Sequence, residues 1–201
     1  LTVISEFVEG YGTRREPYHI QTPGQLNNIR NHLNKYFILD KDIDLTEVCL
    51  PDGDYYNGGA GWQPIGDSVG KFTGSLDGAG HTISGLKINR PNTEFTGLFG
   101  CIGSNAEVRD IKLTDVDIAG GTNTGGLTGQ IAGMQPIPGA KADIQTISVI
   151  GKIKGGQNTG GLAGSAFSAD ISQVFCDVGV EQNEKPNAGG IVGYLASDSN
   201  I

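Results

Sequence analysis

Thr96-Gly97-Leu98-Phe99-Gly100, Gly125-Gly126-Leu127-Thr128-Gly129, Gly160-Gly161-Leu162-Ala163-Gly164 and Gly189-Gly190-Ile191-Val192-Gly193 are four versions of one five-residue signature. They recur about every 30 residues, and a unit of that length buries its apolar face only by stacking on its neighbours. Ahead of each signature runs an apolar triplet, Φ-x-x-Φ-x-Φ: Ile83/Leu86/Ile88, Val108/Ile111/Leu113, Ile144/Ile147/Val149 and Ile171/Val174/Cys176. Its last two members lie two apart, on one face of a β-strand. The three-residue step before them predicts a bend or bulge, since strict alternation would turn the first member outward. Residues 133–141, with Pro136, Pro138 and Gly139, read as a loop that lengthens one repeat. The signature glycines are expected at tight corners with positive φ, around an inward Leu or Ile. A phosphate cradle would need a strand–loop–helix setting with a Lys and a Ser or Thr, which none of the four has.

The expected fold is all-β, a parallel β-solenoid with a short N-terminal capping helix. A right-handed β-helix follows from the hand of parallel crossovers. At ~4.8 Å per stacked strand, four or five coils make a body about 20–25 Å long. Residues 1–60 read as a cap segment and 61–201 as the repeat body. Ser197-Asp198-Ser199-Asn200-Ile201 looks like the start of another coil without a polar cap, as in a chain cut from a longer one.

Composition narrows the partners. The 201 residues include 33 glycines and only 7% aromatics, which suits thin coils with frequent corners. Fourteen Lys and Arg stand against 22 Asp and Glu, a net charge of −8, which argues against nucleic acid and anionic membrane surfaces. No basic run, membrane-length apolar stretch or secretory signal is present, and Leu1-Thr2-Val3-Ile4 is too short for a signal core. Cys49, Cys101 and Cys176 have no metal-ligand spacing and allow at most one internal disulfide. Cys176 fills a triplet position and is expected to be a buried, inert thiol.

The N-terminal segment differs in character. Thr22-Pro23-Gly24-Gln25 is a capping box with Pro at the first helical position, and Leu26, Ile29 and Leu33 follow at helical spacing. A helix is expected over 22–34 and a strand over 36–45. Phe37, Leu39, Ile43 and Leu45 would face inward, and Asp40, Asp42 and Asp44 outward. The Asp row reads either as a solvated acidic face or as a calcium site. The solvated face is preferred, because Leu45 stands where a calcium loop needs Gly and Pro51 where it needs Glu. No other cofactor is indicated.

Catalytic patterns are sparse. Gly66-Asp67-Ser68-Val69-Gly70 has the letters of a nucleophile elbow, but no helical pattern follows it. Three histidines, His19, His32 and His81, give zinc chemistry little to draw on. Asp77, Asp110, Asp115, Asp117 and Asp177 are the carboxylates a glycoside-cleaving pair would use, yet no basic residue recurs near them in the pattern lyases use to neutralise a uronate. The best binding candidate is the loop from Cys49 to Trp62, with Asp52, Asp54, Tyr55, Tyr56, Asn57 and Trp62. Aromatic faces stack on sugar C–H faces while acids and amides bond hydroxyls. Trp62 has a competing reading as the core cap of the first coil.

Taken in order, the segments resemble the bacterial surface-protein family built on the GLUG motif. The matching residues are Gly12-Thr13, Pro17-Tyr18-His19-Ile20, Gln25-Leu26, Asp42-Ile43-Asp44-Leu45, Trp62-Gln63-Pro64-Ile65-Gly66, Phe72-Thr73-Gly74-Ser75-Leu76-Asp77-Gly78, Gly80-His81-Thr82-Ile83-Ser84-Gly85-Leu86 and the four signatures. The resemblance spans residues 11–195. It implies an exported, cell-surface or extracellular repeat protein, with similar repeats in large adhesins and in the non-catalytic N-terminal regions of immunoglobulin-A-cleaving metallopeptidases. The stretch from Asp77 to Leu86 is also similar to the opening coil of pectate-lyase-type β-helices. The family hands over no catalytic set. The expected function is a non-enzymatic adhesin stalk or a module binding host glycan or extracellular-matrix protein, with no membrane insertion in this segment. A substrate-recognition region of a secreted peptidase, a polysaccharide-active enzyme, and an end-to-end self-assembling unit of a filament or layer are the alternatives.

Overall fold

The computed structural model describes residues 7–132, 139–182, 187–196 and 198–201. The loop expected at 133–141 lies largely outside these, as do residues 1–4 and Ser197. Strands are short at the N-terminal end: β1 (Tyr18–Ile20), β2 (Tyr36–Leu39), β3 (Ile43–Asp44), β4 (Ser75–Asp77), β5 (Thr82–Ser84) and β6 (Lys87–Asn89). They join the long strands β8 (Glu107–Ala119), β10 (Ala142–Gly155) and β13 (Ala169–Gln182) in one nine-stranded sheet. A second sheet collects one short strand per signature: β7 (Phe99–Ile102), β9 (Thr128–Ile131), β12 (Ala163–Ala166) and β15 (Val192–Leu195). A third pairs β11 (Thr159–Gly160) with β14 (Ala188–Gly189). Every pairing of these strands is parallel.

Side chains of like kind stack from one repeat to the next. Val108, Ile144 and Ile171 share one register position, Ile111, Ile147 and Val174 the next, and Leu113, Val149 and Cys176 the third. The three-residue step is a left-handed residue in each strand: Asp110 at φ 55°, Thr146 at 53° and Gln173 at 54°. That kink returns the second triplet member to the core. The first triplet, however, does not occupy the expected register. Ile83 lies opposite Leu113 and Ile88 opposite Ile118, while Leu76 takes the position of Val108. The three fragments β4, β5 and β6 together match the single strand β8, so apolar spacing alone placed this repeat out of step.

The reading of the signature glycines is also corrected. None of them has a positive φ. At all but Gly190 a nearby backbone, in most cases that of a neighbouring repeat, comes too close for a Cβ. A methyl on Gly125 would lie 2.5 Å from Ala163 Cα, on Gly129 2.2 Å from Phe95 Cα, and on Gly164 2.4 Å from the Asn123 carbonyl carbon. The left-handed corner falls one or two residues before the signature, at Phe95, Asn123 and Asn158, with φ of 57°, 59° and 61°. Asparagine tolerates that conformation, and here it also forms a ladder. Asn158 Nδ2 donates to Asn123 Oδ1 at 2.9 Å, and Asn187 Nδ2 to Asn158 Oδ1 at 2.8 Å. Beside it Thr96, Thr124 and Thr159 are buried and bridge one another in parallel. Each Oγ1 donates to the carbonyl three residues earlier, of Thr93, Gly121 and Gly156 respectively.

At the N-terminal end Thr22 caps α1 (Pro23–Asn28), its Oγ1 accepting from Gln25 N at 3.2 Å. The helix is shorter than expected and passes into a 3-10 turn, Ile29–Asn31. Asn27, Asn28 and Asn31 offer competing local hydrogen bonds in this stretch, which weakens a helix interior. Leu26 and Ile29 are buried as expected. The expected strand 36–45 is broken at residues 40–42, although Phe37, Leu39, Ile43 and Leu45 all point inward. An aromatic series links the segment to the repeats, with Phe37 to Phe72 at 6.4 Å and Phe72 to Phe99 at 4.8 Å between ring centroids. At the other end Asn200 lies against Asp170 in parallel and donates Nδ2 to its Oδ1 at 2.7 Å.

Candidate ligand-binding surface

The loop after β3 is folded by its own backbone. Tyr55 N donates to Val48 O at 2.7 Å, Gly53 N to Leu50 O at 2.9 Å, and Asn57 Nδ2 to Gly61 O at 2.8 Å. Trp62 is 0% exposed, with Nε1 donating to Leu98 O at 3.3 Å, so it is not a sugar platform. It fills the end of the repeat core, where a large ring can be desolvated only if its N–H finds an acceptor. Tyr55 packs edge-on against it, ring centroids 5.2 Å apart, and burial pushes its phenol up. Tyr56 is half-buried, whereas Asp52 and Asp54 are exposed. The structure thus brings Tyr55 and Trp62 together as packing partners, separating their roles from those of the exposed acids.

Nor does the Asp row converge. Asp40 Oδ1 meets His19 Nδ1 at 2.8 Å and its Oδ2 accepts from Gln21 at 3.0 Å. Asp42 Oδ1 meets His81 Nδ1 at 3.0 Å and accepts from Thr82 N at 2.9 Å. Asp44 accepts from Thr46 N at 2.8 Å. Burial pushes the Asp40 carboxyl up, but the bonds from Gln21 and His19 outweigh it and leave it below the ordinary range. The Thr82 N–H, then His81, lowers Asp42, and bonds from Thr46 lower Asp44. The break at 40–42 puts each carboxylate among separate local donors. Among the described residues no group of three or more His, Cys, Asp or Glu is placed to hold a metal ion.

Of the carboxylates considered for glycoside cleavage, Asp77 and Asp110 meet on Arg109, and the others lie apart along the sheet face. Asp77 Oδ2 accepts from Arg109 Nε at 3.0 Å and Nη2 at 2.7 Å, with Asp110 3.9 Å from the same guanidinium. Asp115, Asp117 and Asp177 are exposed along β8 and β13. Asp117 lies opposite Lys87 and Lys152, a cross-strand charge pairing that suits a solvated sheet face. Gly66 to Gly70 is a turn, in which Asp67 Oδ1 accepts from Val69 N at 2.8 Å and Gly70 N at 2.7 Å. Among the described residues no helix follows it.

One outer groove crosses three repeats and was not anticipated from sequence. It is about 520 Å³ in volume and follows the kinks at Asp110, Thr146 and Gln173. Lys112 and Ser148 add polar groups, and Phe175, 59% exposed, contributes an aromatic face. Thr146 Oγ1 donates to Gln173 Oε1 at 2.9 Å, tying adjacent repeats along the groove. The signal was present in the triplet spacing. Only the stacking of three kinks in register turns it into a concave surface.

The chain is 45% identical over 112 residues, 55% of its length, to a candidate Gly-rich membrane protein of Evansella cellulosilytica, of which the match covers 12%. It is 32% identical over 137 residues, 66% of its length, to a halomucin of Haloquadratum walsbyi, of which the match covers 2%. The chain therefore spans a small part of both relatives. A crystal structure of a candidate immunoglobulin A1 protease from Bacteroides ovatus matches 96% of this chain and 66% of that one, with a TM-score of 0.63 at 20% identity, a likeness of fold. No family model matches the chain. Among the described residues no helix is long and apolar enough to cross a membrane.

Proposed function

We propose that the chain is a non-enzymatic β-solenoid segment of an exported surface protein, of the GLUG-repeat kind, whose lateral groove binds extracellular glycan. The in-register groove across three repeats carries this reading. It offers an exposed Phe175 ring beside the Gln173 amide and the hydroxyls of Thr146 and Ser148, the combination sought at Tyr55 and Tyr56. The relatives support surface display: one is named a membrane protein and the other a halomucin, and in both the matched stretch is a small fraction of a much longer chain. The engagement of Asp77 and Asp110 by one guanidinium, with Asp115, Asp117 and Asp177 exposed on a sheet face, supports binding over cleavage. The likeness of fold to a candidate immunoglobulin A1 protease supports a second reading, a substrate-recognition region within a secreted peptidase.

A panel of immobilised neutral and acidic polysaccharides and matrix proteins, probed with the purified chain, tests this. Binding without new reducing ends is expected, unaffected by calcium chelation and lost in Phe175→Ala at unchanged melting temperature. Release of reducing ends would sink the non-enzymatic reading. Undiminished binding by Phe175→Ala would sink the groove.

A further inference from the structure

A second concavity, about 450 Å³ in volume, lies between the N-terminal turn and the loop ahead of the first signature. That volume is in the range of small-ligand sites. Two guanidiniums line it, Arg30 and Arg90. Both are half-buried. Arg90 holds the backbone from one side, Nε donating to Trp62 O at 3.2 Å and Nη2 to Gly61 O at 3.3 Å. Arg30 holds it from the other, Nη2 donating to Gln63 O at 2.9 Å and its Nε to Asn27 O at 3.0 Å. The Arg30 guanidinium also lies 5.9 Å from the Trp62 ring centroid. The three consecutive carbonyls of Gly61, Trp62 and Gln63, with that of Asn27, thus fix both forks. Among the described residues neither guanidinium has a carboxylate within ion-pair distance, and Nη1 of each has no hydrogen-bond partner within the chain. Burial lowers both guanidiniums, and the charge of Arg90 opposes that of Arg30. Arginine nevertheless stays protonated in proteins, so one groove holds two like charges with no carboxylate partner among the described residues and with Nη1 of each left to donate.

The rest of the lining sets the ligand's class. Asp67 and Glu94 face the same space. Asp67 uses one oxygen on the turn and Glu94 is exposed, so both offer acceptors. They would repel a polyanion and accept from hydroxyls. Pro64, Leu33 and Phe95 supply apolar surface. A planar carboxylate suits a pair of fixed arginine forks better than a point anion does. We infer that this groove binds a sugar acid, a polyhydroxylated ring bearing one carboxylate, with Arg30 and Arg90 on the carboxylate and Asp67 and Glu94 on ring hydroxyls.

Calorimetric titration of the full chain with N-acetylneuraminate, glucuronate and galacturonate tests it, against methyl galacturonate ester, glucose and acetate. At least one sugar acid is expected to bind tenfold or more tighter than all three controls, with shifts in the arginine Nε NMR signals. Arg90→Lys should weaken it about tenfold by removing the fork. Because Arg90 also anchors the loop, Glu94→Gln is the second variant. Glu94 is exposed and, among the described residues, outside any ion pair, so the fold is unaffected; losing its charge while keeping an acceptor should tighten the acid severalfold relative to the ester. Equal affinity for acid and ester, acetate matching the sugar acid, or no effect of Glu94→Gln on the acid would each overturn the assignment. Phe175→Ala should leave this site intact, so its failure and that of the lateral groove are read separately.

Discussion

Gly161 and Gly190 occupy the same place in successive signatures, and exchanging each for Ala should have opposite consequences. A Cβ on Gly161 would lie 2.3 Å from Gly190 O, 2.9 Å from Cys176 Cβ and 3.0 Å from Cys176 Sγ, whereas on Gly190 it would meet nothing within 4 Å. Restoring an ordinary contact of about 3.4 Å means opening the two repeats by about 1 Å, well beyond what a stacking distance near 4.8 Å absorbs. That opening stretches Leu162 N to Ile191 O, now 2.8 Å, past the limit of a hydrogen bond. Overpacking of this kind costs about 1–3 kcal/mol, and the lost backbone bond adds roughly 0.5–1.5 kcal/mol. Gly161→Ala should therefore lose about 2–4 kcal/mol. Gly190→Ala should be neutral or gain up to about 1 kcal/mol through a less flexible unfolded chain. Urea melts followed by far-UV circular dichroism measure both. Equal destabilisation would refute the close-approach argument and restore a conformational reason for these glycines; a silent Gly161→Ala would show that the repeats do not stack as described.

Asn158→Ala removes two ladder bonds and leaves a left-handed corner to a residue that resists it. A loss of about 2–4 kcal/mol is expected, and Asn158→Gly, which relieves the backbone, should recover about 1 kcal/mol of it in the same melts. The folded carboxyls of Asp40, Asp42, Asp44, Asp67 and Asp170 all lie below the ordinary value. Their stabilisation is fully present above the unfolded value near ~3.9 and is lost as pH falls through the lower folded values. The urea midpoint should be level from pH 7 to 5 and drop below 4, less steeply in Asp42→Asn. Burial pushes the Cys101 thiol to about 12 and Cys176 to about 11, and raises Cys49. Ellman's reagent at pH 8 should react in the native chain with at most the half-buried Cys176, and with three thiols in urea; three fast thiols in the native chain would contradict the burial of Cys49 and Cys101.

What was legible in the sequence was whatever depends on local periodicity. The signatures, the triplets over β8, β10 and β13, the inward side chains of 36–45 and the Thr22 cap each follow from side-chain direction over a few residues. What depended on approach between repeats was not legible. Gly125, Gly129 and Gly164 read as corners because nothing local distinguishes a glycine with positive φ from one crowded by a neighbouring strand. The Asn and Thr ladder left a trace, Asn-Thr-Gly-Gly at 123 and 158, but its hydrogen bonds exist only between repeats. Trp62 offered the same letters as platform or core, and burial by Tyr55 and Leu98 decided it. The Asp row looked continuous until the break at 40–42 gave each carboxylate its own donors. Arg30 and Arg90, 60 positions apart in the chain, have no sequence relation at all. They share a groove because both reach the carbonyls around Trp62. A sequence records which way each side chain points along its own strand; which backbones then press together, and which charges meet, is fixed only when the repeats stack.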